Sequence, residues 1–249
     1  YLSFRQPTTF SFEPTSDAFM ADEYTIEVKD GVRLLKVGII YGANASGKSN
    51  LIYALNALRN IMCTPTKDKT EAIDVVPFLL DNFSGQQHTT FELSFYIGAE
   101  KYLLQLELDR NHIYREKLVF YPSSKSALLY ERLYNEEQGL VEINWGSYLK
   151  LSKKSCAAIE GNTISNISVL VAWTKSNVER SRLDGVYQFF AEQMILPLTT
   201  SETLASYARE SLRNDNEGRL KTFVKKFLQA SDFNISDIEI EDEEVQVYE

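Results

Sequence analysis

The sequence predicts an α/β fold of the phosphate-loop kind, in which an antiparallel β-meander and a helical lobe are set around one loop. Three observations predict it. Gly42-Ala43-Asn44-Ala45-Ser46-Gly47-Lys48-Ser49 fits G-x-x-x-x-G-K-[ST] and lies between a mostly apolar run, Leu34 to Tyr41, and a helical pattern. Five short segments of alternating hydrophobicity, divided by turn residues, run from Phe91 to Trp145. From Ile167 onward the apolar period becomes helical.

The loop carries the chemistry. Two glycines let the chain curl so that successive backbone N–H groups face an anion, and the helix opening near Lys48 adds its partial positive charge at the same place. Lys48 then reaches the β- and γ-phosphates as the catalytic cation, and the Ser49 hydroxyl is the Mg²⁺ ligand. ATP and Mg²⁺ are the expected cofactors. The nucleotide-binding residues are Gly42, Ala43, Asn44, Ala45, Ser46, Gly47, Lys48, Ser49 and Asn50.

Composition sets bounds on the rest. The 249 residues are 44% apolar and 12% aromatic, which marks a globular chain able to bury a core. No apolar run approaches the ~18 residues of a membrane span and no signal-peptide pattern opens the chain, so a cytoplasmic protein with no membrane partner is expected. Cys63, Cys156, His88 and His112 are too few and too scattered for a Cys/His zinc site. A net charge of −9 argues against wrapping of nucleic acid by the whole surface, while leaving a local basic groove open.

Taken in order, Thr9–Glu13 and Tyr24–Val28 alternate like half-buried strands, and Lys29-Asp30-Gly31 turns the chain into the loop's own buried strand. Leu51, Leu55, Leu58 and Met62 give the following helix one apolar face until Thr64-Pro65 stops it. Thr66–Glu71 reads as a mobile surface loop. The meander comprises Phe91–Ile97, Tyr102–Leu108, Ile113–Tyr121, Ala127–Tyr134 and Leu140–Trp145. Helices are expected over Val178–Ile195, Glu202–Leu212 and Glu217–Gln229, and Arg209, Arg213, Arg219, Lys221, Lys225 and Lys226 give this lobe a basic flavour interspersed with acids. The expected organisation is a phosphate-loop lobe at 1–150, a helical lobe at 151–235 and the start of a further strand at 236–249.

The loop string Tyr41-Gly42-Ala43-Asn44-Ala45-Ser46-Gly47-Lys48-Ser49-Asn50-Leu51 resembles that of ABC-type ATPases of the SMC and RecF-like group. Among these it is most similar to bacterial AAA-family ATPases of the overcoming-lysogenisation-defect and abortive-infection type. Tyr1-Leu2-Ser3-Phe4-Arg5 resembles the opening motif of the group, and Asn162–Leu170 its Asn/Ser-rich link into the helical part. The resemblance implies an ABC-type head in which Arg5 approaches the nucleotide. Two heads would sandwich two ATP molecules as a homodimer, and hydrolysis would drive or gate a nuclease, toxin or DNA partner in anti-phage defence or DNA maintenance. A non-hydrolysing nucleotide-gated scaffold and a small-molecule phosphotransferase are the alternatives, the meander weighing against the second.

Hydrolysis in such a head also needs an uninterrupted apolar strand ending in Asp-Glu. Ile238-Glu239-Ile240-Glu241-Asp242-Glu243-Glu244 alternates like a strand with one wet face, and Val169-Leu170-Val171-Ala172-Trp173 ends without an acid. Nothing resembles Leu-Ser-Gly-Gly-Gln. With a chain that begins at Tyr1, this predicts the N-terminal portion of a longer ATPase. Gln86, Gln87, Gln105 and Gln138 are candidates for the glutamine that senses Mg²⁺, with no context to choose among them.

Overall fold

A computed structural model describes residues 1–16, 19–29, 31–195 and 201–239. The chain divides into two compact units, Tyr1–Ile195 and Leu196–Glu249. The division thus falls well past the expected boundary at residue 150, because the first helices after the meander bury their apolar faces in the same core as the sheet.

The first unit opens with a short helix, α1 (Ala21–Tyr24), and an antiparallel pair, β1 (Thr25–Lys29) and β2 (Val32–Leu35), registered Thr25 to Leu35 and Ile26 to Leu34. Helix α2 (Lys48–Cys63) follows the loop. The meander is β3 (Thr89–Ile97), β4 (Glu100–Leu108), β5 (Ile113–Tyr121), β6 (Ala127–Asn135) and β7 (Leu140–Trp145), paired in sequence order and antiparallel throughout. Its boundaries lie within two residues of those read from alternation and turn signals.

Period-two alternation gives this sheet a dry face and a wet one. On the dry face Tyr102 pairs with Phe120, and Leu104 with Leu118 and then Tyr130, all buried. On the wet face Glu92, Gln105, Lys117 and Glu131 stand in one cross-strand row, Gln105 Nε2 donating to Glu92 at 2.8 Å and Lys117 pairing with Glu131 at 3.6 Å. Each fully buried leucine contributes about 2 kcal/mol.

Helices α3 (Lys153–Asn162), α4 (Val169–Thr174) and α5 (Arg182–Gln188), the last running into a π-helical turn at Phe189–Gln193, bring Ile159, Leu170, Leu183, Val186 and Phe190 to the same core. Helix α5 starts at Arg182, later than the Val178 expected, because Ser181 and Asp184 form a capping box there. The apolar run Val169–Trp173 is helical, opened by the Ser168 hydroxyl accepting from Val171 N at 3.1 Å.

Two buried polar devices join these layers. Glu116 on β5 accepts from the Tyr130 hydroxyl at 2.6 Å and from Val169 N at 3.1 Å. Its neighbour in register, Arg132 on β6, donates to the carbonyls of Ile113, Ile164 and Ser165. Farther along the same link, Asn166 Nδ2 donates to Asp68 O at 2.8 Å and Glu71 O at 2.9 Å. The segment expected to be a mobile loop is therefore tethered at Asp68 and Glu71.

Helix α3 shows what a single carboxylate does at a helix start. Glu179 accepts from Ser152 N and from the Ser155 hydroxyl, and these bonds, the Ser155 hydroxyl first, hold its carboxyl down at about 2. Because the folded value lies below the ordinary one, the stabilisation is present above about pH 4.5 and is lost as pH falls toward about 2. Glu179→Gln should melt below the wild type at pH 6, with the gap shrinking on acidification between these limits in parallel thermal scans. A gap that does not depend on pH would show that the charge is not what caps α3.

The second unit holds α6 (Ser201–Arg213) and α7 (Arg219–Ala230). Asp215 caps α7 by accepting from Arg219 N and Lys221 N, and the chain beyond returns to set Asp237 against Lys221 at 3.4 Å and Lys225 at 3.9 Å. Part of the expected basic face is thus neutralised locally. Residues 236–239 form no strand, and residues 240–249, with the rest of the acidic stretch, lie outside the described residues.

Candidate nucleotide site

The loop's approach differs from the buried strand expected over Leu34–Tyr41. Only Val32–Leu35 pairs, and beyond it Val37, Ile39 and Tyr41 are 66%, 69% and 83% exposed. An apolar run says that a segment prefers cover but not what covers it, and the meander strands pair only with one another. On the other side the run is partly covered. Phe10 and Phe12 pack edge to face at 5.2 Å over Gly38, where a Cβ would come within 3.2 Å of the Phe10 ring. Leu35 N donates to Phe12 O at 2.7 Å, although Thr9–Glu13 forms no strand.

The loop is a tight cradle. Ser46 N closes a turn on Ala43 O at 3.3 Å, and Ala45 (φ 62°) and Gly47 (φ 93°) both take left-handed backbone. A Cβ on Gly42 would lie 2.7 Å from Ser46 Oγ, and one on Gly47 would lie 2.5 Å from Ser3 Oγ. The lysine amine folds over the mouth, Lys48 Nζ donating to Gly42 O at 2.9 Å and Ala43 O at 2.7 Å. Ser49 is exposed beside it.

Helix α2 starts from Gly47 with no side-chain cap, so its leading N–H groups are left to a ligand. The buried residues of this 16-residue helix, Ala57, Leu58, Ile61 and Met62, all lie in its second half. Arg59 fastens that half by donating to Ala191 O at 3.1 Å. The loop therefore sits on the projecting end of a firmly seated helix. Gly47→Ala adds a methyl group at a left-handed position and drives it into Ser3, and is expected to weaken any phosphate ligand of the loop by about 10-fold or more in calorimetric titration. Retained affinity would show that the loop does not need this geometry.

The other candidates are placed as follows. Arg5 pairs with Asp81 at 3.1 Å, and Asp81 also accepts from Phe83 N and Ser84 N. Within the same pentapeptide it is Ser3 that touches the loop, accepting from Asn50 Nδ2 at 2.8 Å. The sequence signal for Ser3 was its place in the opening motif, where only Arg5 drew a role. Gln105 is engaged with Glu92, Gln138 lies in the turn between β6 and β7, and Gln86 and Gln87 are exposed after α2.

A glycine-bracketed cradle at the uncapped start of a helix, with a lysine at its mouth, defines a phosphate-loop nucleotide-binding domain. Compared with models of known protein families, residues 39–171, just over half of the chain, match the family described as "AAA domain, putative AbiEii toxin, Type IV TA system". The chain belongs to this family, and is an AAA-family ATPase of the abortive-infection type. No curated protein and no solved structure matches the chain. Domains of this class generally use ATP and Mg²⁺. Among the described residues no helix is long and apolar enough to cross a membrane.

Proposed function

We propose that Gly42–Asn50 binds ATP with Mg²⁺, and that the chain belongs to an ABC-type head that acts as a homodimer around the nucleotide. The observation that carries the reading is the uncapped N-terminus of α2 joined to a loop whose two glycines permit a turn so tight that a Cβ at either would meet Ser46 or Ser3. The residues present fit the group. Backbone N–H groups of the loop and of the first turn of α2 bind the phosphate oxygens, and Lys48 exchanges its two loop carbonyls for the β- and γ-phosphates. The Ser49 hydroxyl holds the Mg²⁺ that offsets charge on the same oxygens. Arg5 has a lesser place in this reading, because Asp81 already holds it.

The antiparallel meander following the loop's helix supports the ABC-type assignment over a phosphotransferase, whose strands would alternate with helices in a parallel sheet. Turnover in the dimer would drive or gate a nuclease, toxin or DNA partner in a cytoplasmic defence or DNA-maintenance role. The test is titration of the chain with ATP in Mg²⁺ and again in EDTA. Saturable binding that weakens without Mg²⁺ is expected, and no heat or thermal shift with ATP under either condition would overturn the reading.

A further inference from the structure

We propose that Ser3 is a positioning residue of the nucleotide site, acting through Asn50 and Gly47; this rests on the reading of Gly42–Asn50 as that site. The first five residues are held at several points. Leu2 N donates to Val76 O at 2.8 Å, the Tyr1 ring lies 5.4 Å from that of Phe91, and Arg5 pairs with Asp81. Leu2 takes left-handed backbone (φ 46°) in a turn closed by Phe4 N on Tyr1 O at 2.8 Å. A bulky residue accepts that conformation only where its surroundings fix it.

Between them these tethers present the exposed Ser3 hydroxyl to the start of α2. Ser3 Oγ accepts from Asn50, in the first turn of α2, and lies against Gly47, the left-handed glycine from which the helix starts. Asn50 N and Leu51 N both donate to Gly47 O, so the amide side chain, the first helical turn and the loop's last glycine move together. Ser3 thereby braces the turn that aims the leading N–H groups of α2 at the phosphate. Being exposed, it adds little to the fold itself.

The experiment is a double-mutant cycle with ATP titration and apo melting temperature as separate readouts. Ser3→Ala should weaken ATP binding roughly 3- to 10-fold, the net worth of one hydrogen bond, while the apo protein melts within about 2 °C of the wild type. In an Asn50→Ala background the same change should have no further effect, because the two act as one brace. Wild-type affinity in Ser3→Ala alongside lost affinity in Lys48→Ala would overturn the role of Ser3 and leave the nucleotide site standing. Additive losses across the cycle would overturn the coupling to Asn50. Absence of ATP binding by the wild type would remove both readings.

Discussion

Lys48→Ala is expected to lose roughly 10- to 100-fold in ATP affinity with almost no change in the stability of the free protein. The two effects separate because of what the amine does without ligand. Lys48 Nζ bonds only to the carbonyls of Gly42 and Ala43, which stand at the exposed mouth of the loop and can turn to water when the amine is removed. Free-state stability should then move by no more than about 0.5 kcal/mol. With ATP bound, the same amine forms charge-assisted hydrogen bonds to phosphate, worth about 1.5–3 kcal/mol, and nothing else in the loop carries a positive side chain to replace it. Lys48→Arg should not restore affinity, since a planar fork does not fit where a compact ammonium crosses a tight cradle. Equal affinities for the wild type and Lys48→Ala by calorimetry would remove Lys48 from the site.

How far the sequence could be read depended on whether each signal was local. The meander was legible nearly to the residue, because alternation and turn chemistry at Gly98, Asp109-Arg110-Asn111 and Gly139 fix the strands with no distant partner needed. The phosphate loop was legible for the same reason, since its glycines, lysine and helix lie in one continuous stretch. The strand before it was not, because burial of Val37, Ile39 and Tyr41 would depend on cover from elsewhere. Val169–Trp173 shows a different limit: five apolar residues carry too little period to tell strand from helix, and the Ser168 cap decides it. Helix α3 gave little signal, with few apolar residues and a Ser152 cap that Glu179, 27 residues later, braces. In the site, the resemblance implied Arg5 near the nucleotide; in the structure Arg5 pairs with Asp81, and Ser3 of the same pentapeptide is the residue bonded to Asn50.

The largest effect on stability is expected from Arg132, far from the loop in sequence and buried between β5 and the link to α4. Its guanidinium is fully buried, and burial pushes its pKa down to about 10, still high enough to keep the charge at neutral pH. Three carbonyls accept from it, those of Ile113, Ile164 and Ser165, the last two also taking Ile167 N and Ile113 N, and its positive charge faces Glu116, whose carboxyl is pushed up by burial and eased down by the Tyr130 hydroxyl, Arg132 and Val169 N–H. Arg132→Ala removes these donors and the counter-charge together, leaving an unpaired acid in a dry interior and each carbonyl one hydrogen bond poorer. Removing one partner of such a buried pair costs about 3–5 kcal/mol, or roughly 10 °C in melting temperature for a chain of this size. The double variant Glu116→Leu/Arg132→Met should recover part of that loss, since the unpaired acid is gone while the Tyr130 hydroxyl and Val169 N–H lose their acceptor. Because the link that holds the Ile164 and Ser165 carbonyls opens α4, and α4 packs on α2, the same change should also loosen the seat of the loop's helix. Thermal unfolding of the three proteins checks the order wild type, double variant, Arg132→Ala; an Arg132→Ala protein melting within about 2 °C of the wild type would show that water or neighbouring groups satisfy the carbonyls and that the guanidinium carries no net stability.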